Sequence, residues 1–328
     1  MFPLIGLLST LSFGQTKWAQ TGFNFIGVSS DARAGAMGDA VTSLSAYSGA
    51  LSHNPATMAD IPTLLTANFS SNSWIADIKY LEFNMLIAPQ TGKYGVIGLN
   101  MQSIDYGESQ GTMVWRNEKG FIDTEMMKPG ALSIGIGYAK MLSDRFSVGA
   151  QIHFAYQSLG KSVVPDGATL VTKQNVANVL AYDFGTLYKT GIKSIAFGMS
   201  VRNFSKEVKY EEEGFQLPLL FTLGISANVF DFVKVGGPEQ SLILAIDATH
   251  PRSHPEQIKI GLEYQLMNLL ALRGGYISSN SEDDITFGVG ISTVGLGVTS
   301  VGNIKVDYSY TPFGVFDNVQ RFTVSLSL

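Results

Sequence analysis

Residues Ala131–Lys140 read ALSIGIGYAK. Leu132, Ile134, Ile136 and Tyr138 occupy every second position, with Ser133, Gly135 and Gly137 between them. Successive side chains on a strand point to opposite faces, so the run predicts a strand with one oily and one polar face. The pattern returns at Ile285–Ser292 (ITFGVGIS), at Gln257–Gln265 and at the closing run Arg321–Leu328.

Outward from these runs, the period of two predicts about fourteen strands. They lie near 62–72, 77–88, 93–104, 129–142, 145–159, 177–189, 193–204, 217–229, 240–250, 256–266, 269–279, 284–293, 302–311 and 319–328. Short turns such as Gln90–Lys93 and Ser143–Arg145 alternate with longer polar loops at Asp105–Lys128, Gly160–Val176 and Ser205–Gln216. That alternation describes an all-β, up-and-down antiparallel meander.

Two closures are open to it: a soluble barrel with its oily face inward, or a membrane barrel with that face in lipid. Fourteen strands enclose a wide interior, and the chain has no helix with which to fill it. The polar faces carry Asp183, Arg202, Asp247, Glu263, Arg273 and Asp307. Aromatic residues gather towards strand ends, among them Tyr80, Tyr188, Phe204, Tyr276 and Tyr308, as at the two interfaces of a bilayer. A transmembrane barrel with a polar lumen, in a bacterial outer membrane, is therefore expected.

Composition agrees. Charged residues make up 15% of the 328, against about a quarter in ordinary globular domains. The net charge is −5 and no basic cluster occurs, which argues against nucleic acid as a partner. There is no cysteine, so disulfides and thiol chemistry are excluded. The opening run MFPLIGLLSTLSFG is too short to span a bilayer as a helix. Ser12 and Gly14 suit an export signal over residues 1–15, although no Lys or Arg precedes its apolar core. A buried N-terminal strand is the alternative.

Residues 16–61 precede the barrel segment 62–328 and form too long a stretch for a simple tail. Asp31–Ala40 (DARAGAMGDA) is built of small residues but contains neither GxxxxGK[ST] nor GxGxxG, which argues against a phosphate loop. Such a segment suits a plug folded into the lumen, with wall glycines (Gly135, Gly137, Gly149, Gly224, Gly288, Gly290) making room. Asp31 and Arg33 then either pair with lumen charges such as Asp183, Glu263 or Arg273, or stay hydrated.

Phe25–Ala40 (FIGVSSDARAGAMGDA) followed by Ala50–Ala56 (ALSHNPA) resembles the N-terminal signature of the PorV/PorQ family, which belongs among the FadL-like outer-membrane barrels. The runs Leu272–Tyr276 (LRGGY), Thr286–Gly290 (TFGVG) and Val306–Gly314 (VDYSYTPFG) are similar at the other end. The resemblance implies a fourteen-stranded barrel with an N-terminal plug. Its motif positions are Asp31, Arg33, Gly35, Met37, Gly38, Asn54 and Pro55, and the Asn-Pro-Ala turn helps to hold the plug. It also implies a role in type IX secretion, with secreted cargo or secretion-system proteins met through the loops Asp105–Lys128 and Gly160–Val176. A FadL-like channel for hydrophobic small molecules is the alternative, with Tyr94–Met101 and Leu217–Leu223, apolar on both faces, lining its path. A purely structural barrel is a third reading. Outer-membrane lipid is a partner in each.

No catalytic constellation is legible. His250 and His254 lie in HPRSHP, where the prolines forbid helical metal spacing, and no G-x-S-x-G elbow occurs. His153 sits beside Gln151 on a polar face and is expected to be hydrated. Neither metal, cofactor nor enzymatic activity is expected.

Overall fold

The computed structural model describes residues 21–45, 47–166, 169–210, 213–233, 237, 239–278, 284–296 and 302–328. The expected export signal lies outside the described residues. Strands run in chain order as β1 (Leu65–Ser73), β2 (Lys79–Ile87), β3 (Val96–Asp105), β4 (Ser109–Val114), β5 (Phe121–Met127), β6 (Gly130–Ser143), β7 (Phe146–Asp166), β8 (Thr169–Lys189) and β9 (Ala196–Ser205). They continue as β10 (Val208–Lys209), β11 (Gly214–Phe215), β12 (Leu220–Asn228), β13 (Gln240–Pro251), β14 (Gln257–Leu266), β15 (Leu270–Ile277), β16 (Ile285–Ser292), β17 (Asn303–Thr311) and β18 (Val319–Ser327).

Fourteen of them close a barrel, each antiparallel to its neighbours, with β4–β5 and β10–β11 standing apart as two-stranded hairpins. Closure is made by β1 against β18, in a register that runs from Thr66↔Ser327 to Ser73↔Gln320. Each barrel strand overlaps one of the fourteen expected segments.

The faces settle the choice of closure. On β6, Ile134 and Ile136 are 48% and 57% exposed, whereas Ser133 between the oily positions is 3% exposed. The oily side faces out. On β8, Leu180, Tyr182, Phe184 and Tyr188 form the outer row, while Asp183 points in and is buried. The apolar belt continues round the wall through Phe69, Leu99, Phe154, Leu223, Leu272, Phe287 and Phe322. Only hydrocarbon solvates such a belt favourably. Tyr94, Tyr138 and Tyr188 border it at the short-turn end; Phe204, Tyr276 and Tyr308 lie towards the other. Tyr80 departs from the expected girdle: it turns inward and is buried.

Three expected loops contain strand. Asp105–Lys128 holds β4–β5, and Ser205–Gln216 holds β10–β11. Gly160–Val176 continues the β7–β8 hairpin, with Lys161↔Gln174, Ser162↔Lys173 and Val163↔Thr172 in register. Outside the bilayer neither face needs to be apolar, so the alternation that marks a membrane strand disappears while the hydrogen-bond ladder continues. The apolar inner positions of Tyr94–Met101 are explained as well: Val96 packs against the segment that fills the lumen.

That segment enters at the long-hairpin end. Gly22 N donates to Gln216 O (3.2 Å), next to the isolated bridge Thr21↔Gln216. The chain then descends through the lumen to Ile61 before β1 begins at Leu65. Its one α-turn, α1 (Ala32–Ala36), starts at Asp31, whose side chain accepts from Ala34 N (2.8 Å). It ends on Gly38, at φ +61°, where Gly38 N reaches Gly35 O and Asp39 N reaches Ala34 O (2.8 Å). This is the paired closure that left-handed glycine supplies at a helix end. The small residues of DARAGAMGDA thus build a compact turn that fits inside the barrel.

Candidate functional site

The plug is seated on glycine. A methyl group on Gly149 would meet the Pro55 backbone, one on Gly198 that of Thr42, and one on Gly275 that of Met37 and Gly38. Gly137 faces Leu51, and Gly288 faces Ala36. The wall lacks side chains where the plug backbone lies against it. Gly135 and Gly290 differ from expectation, because they face Gln151 and the Arg273–Asp307 pair of the wall itself. Met37, Leu51 and Met58 of the plug then pack on Leu86, Val96, Ala139 and Ala245 of the wall in one buried core.

Polar ties fix the register of plug on wall. Arg33 donates to Glu263 from Nε (2.8 Å) and Nη2 (2.7 Å), and lies 5.5 Å from the Tyr47 ring centroid. Glu263 also accepts from Arg273 Nε (2.5 Å), and Arg273 Nη1 reaches Asp307 Oδ1 (2.8 Å). Of the three expected lumen partners, Glu263 and Arg273 belong to this chain of charges. Asp183 does not. It accepts from Asn203 N (2.6 Å) and lies 3.4 Å from His153 Nε2. Asp31 caps α1 and takes a further bond from Asn68 Nδ2 (3.3 Å). Gly35 lies flush against the Arg321 side chain.

Asn54 begins the 3-10 turn Pro55–Asp60. Its Oδ1 accepts from Ala56 N (3.1 Å), and its Nδ2 donates to Thr42 O (2.8 Å) within the plug and to Thr186 O (3.0 Å) on β8. Sequence reasoning did not find Thr42, whose N–H meets Asp247 Oδ2 (3.0 Å), nor Asp60, which pairs with Lys189 (2.8 Å). Neither stands in a motif, because each contact joins residues far apart in the chain.

Above the plug the lumen changes character. Phe23, Phe25 and Ile26 are buried with Tyr80, Ile104, Val179, Val208 and Leu217, and Trp74, Tyr106, Tyr210 and Phe215 pack on this group. Their side chains pack into a second apolar cluster, apart from the core around Met37 and Leu51. Over it runs a short chain of hydrogen bonds, from Tyr210 OH to Gln157 Oε1 (2.9 Å) and from Gln157 Nε2 to Tyr106 OH (3.1 Å). Burial pushes both phenols up to about 12, so both stay protonated; Tyr210 donates in this chain and Tyr106 accepts.

A polar crescent of about 30 Å³ lies beside this cluster, between plug and wall. It has room for a water molecule or two. Ile26, Val28, Ser52 and His53 line it from the plug, and Glu82, Gln102, Gln151, His153, Asp183 and Arg202 from the wall. The Ser133 hydroxyl lies 3.3 Å from His153 Nδ1, and Asp183 Oδ1 lies 3.4 Å from its Nε2. At the short-turn end a vestibule of about 490 Å³ reaches Arg33, Glu263 and Asp307. No group of three metal-ligating side chains occurs among the described residues.

The sequence matches no protein-family model and no curated protein. The fold has clear counterparts among solved structures. The Pseudomonas putida toluene transporter TodX aligns with 95% of this chain and 98% of its own, at 13% identity and TM-score 0.59. The CymD monoaromatic hydrocarbon channel aligns with 94% of this chain and 99% of its own, at 11% identity and TM-score 0.59. A Pseudomonas aeruginosa FadL homologue aligns with 90% and 97%, at 11% identity and TM-score 0.51. With its apolar belt and polar, plugged lumen, the chain is a closed fourteen-stranded outer-membrane β-barrel of FadL-like fold.

Proposed function

We propose that this barrel passes hydrophobic small molecules across the outer membrane and receives them at the apolar cluster around Phe23, Phe25 and Leu217. The carrying observation is this aromatic cluster at the long-hairpin end of the lumen, which gathers Phe23, Phe25, Tyr80, Tyr106, Tyr210 and Phe215. A surface cavity of about 840 Å³ shares Tyr210 and Phe215 with it, so an apolar solute entering there meets aromatic side chains. The similar structures, a toluene transporter and a monoaromatic hydrocarbon channel, support the same reading. Uptake of radiolabelled toluene by cells that lack their own hydrocarbon channels tests it. Expression of this chain is expected to raise the initial rate several-fold; a rate equal to that of empty-vector cells sinks the proposal.

The type IX export role implied by the PorV/PorQ resemblance is the second reading. Its structural support is on β4–β5, where Val114, Trp115 and Phe121 stand exposed on a hairpin beyond the barrel wall. Exposed apolar clusters of this kind mark protein contacts. Affinity purification from outer membranes separates the readings. Co-purified secretion components that depend on the hairpin favour export; a barrel recovered alone counts against it.

A further inference from the structure

Strand β6 carries its lipid-facing row Ile134, Ile136 and Tyr138 on to Lys140, which is exposed. This is the short-turn end, which faces the periplasm in outer-membrane barrels. A lysine in such a row costs little only at head-group level, where its ammonium can leave the hydrocarbon. Lys93, in the turn between β2 and β3, comes to the same place. Tyr138 lies over Gly95, whose φ is +89° and where a Cβ would collide with the Tyr138 hydroxyl. That hydroxyl donates to Tyr94 O (2.8 Å), and Lys93 Nζ stands 5.8 Å from the Tyr94 ring centroid. Two ammonium groups therefore flank one pair of tyrosines on the outer wall.

The next two turns add Arg145 and Lys193 to the same rim. Arg145 Nη1 reaches Thr190 O (3.4 Å), and Lys193 Nζ donates to Asp231 O (2.7 Å) beside the Phe232 ring. Both contacts go to backbone carbonyls, which leave the charges in place. None of the four cations forms an ion pair among the described residues. The carboxylates of these turns are Asp144 and Asp231, so the sector stays positive. From β13 through β18 to β1, no Lys or Arg stands on the outer face at this end among the described residues. Lys305 lies there too, but it lines the vestibule inside the lumen. The positive rim is one-sided.

We infer that this sector holds an anionic phospholipid of the inner leaflet, with its phosphate between Lys93 and Lys140. The acyl chains lie along the outer row of Ile97, Tyr138 and Ile136, which is continuous with the belt that lipid already covers. A zwitterionic head group brings its own ammonium and leaves the two lysines without net countercharge. Phosphatidylglycerol supplies that charge, and basic side chains at the membrane surface attract anionic lipid for this reason. Tyrosine rings suit the same level of the bilayer. The inference depends on the lipid-facing belt alone and is independent of what the lumen carries.

Native mass spectrometry of the full-length protein in a non-ionic detergent tests it. The protein is titrated with phosphatidylglycerol or with phosphatidylethanolamine of the same acyl chains. The first phosphatidylglycerol is expected to bind at least about fivefold more tightly, the factor for one basic residue at an anionic surface. Lys93→Gln combined with Lys140→Gln is expected to remove that preference and to leave phosphatidylethanolamine binding unchanged. Lys93→Arg combined with Lys140→Arg is expected to retain it. Lys79→Gln is the control: Lys79 is exposed on β2 at the opposite end, across from Asp105 in register. It is expected to keep the full preference. Heat-modifiable electrophoretic migration reports whether each variant is folded. Equal binding of the two lipids by wild type overturns the inference. So does a preference that survives loss of both lysines, or one that Lys79→Gln removes as completely.

Discussion

Arg33 and Glu263, 230 residues apart in the chain, meet inside the barrel through two charge-assisted hydrogen bonds of 2.8 and 2.7 Å. Their pairing ties the plug to β14. The partners are not equivalent, because Glu263 also holds Arg273. Loss of Glu263 strands the buried Arg33 guanidinium and leaves Arg273 with Asp307 alone, whereas loss of Arg33 leaves Glu263 paired with Arg273. Glu263→Ala is expected to destabilise the folded barrel by about 3–5 kcal/mol, the range for breaking a buried ion pair. Arg33→Ala is expected to cost about 1–3 kcal/mol. Urea titration of the heat-modifiable band measures both, and an Arg33→Ala cost equal to or larger than the other refutes the asymmetry.

The glycine seat makes a graded prediction. Gly275→Ala places a methyl group against the Gly38 and Met37 backbone, and Gly149→Ala places one against Pro55. Backbone cannot swing aside as a flexible side chain can, so each is expected to cost about 1–3 kcal/mol and to expose the plug to protease. Gly27→Ala meets open space, and is expected to stay within about 0.5 kcal/mol of wild type. Limited proteolysis of detergent-solubilised protein ranks the three; equal plug protection in all of them contradicts the seat.

Asn54 serves as turn cap, internal brace and wall anchor through three bonds. Asn54→Ala is expected to cost about 2–4 kcal/mol, as the sum of a lost cap and two orphaned carbonyls. Asn54→Asp keeps the cap oxygen but turns a second oxygen towards the carbonyls of Thr42 and Thr186. It is therefore expected to be no better than Ala, despite its similar shape. Thermal unfolding followed by circular dichroism decides, and full rescue by Asp rules out the anchor role of Nδ2.

The lipid-facing belt predicts the effect of a charge at mid-wall. Ile136→Arg puts a guanidinium on the outer face of β6 and is expected to cost about 2–4 kcal/mol of folding into vesicles. Ile136→Leu is expected to leave folding unchanged. A barrel that tolerates Ile136→Arg as readily as Ile136→Leu has that face in water or protein, not in hydrocarbon.

The strands were readable because their signal is local. ALSIGIGYAK carries its own period, and the same period marks the rest of the wall wherever lipid faces one side and the lumen the other. The pattern fades above the membrane, where Lys161–Val163 pairs with Thr172–Gln174 without alternation, and the stretch reads as loop although it is strand. Tyr80 shows a second limit. An aromatic near a strand end suits an interface or an interior apolar cluster equally, and only the position of Trp74 and Ile104 beside it decides.

By itself the sequence determined the barrel strands, their two faces and a segment of small residues ahead of them, since each depends on neighbours one to four positions away. Tertiary structure alone decided which charges meet. Arg33 finds Glu263 and not Asp183 because the descent of the plug brings it to β14, while Asp183 faces His153 across the lumen wall. It alone decided the aromatic cluster as well, where Phe23 meets Phe215 and Leu217 from nearly two hundred residues away. Barrel closure creates those encounters by fixing distances between strands that share no sequence, and no local period records them.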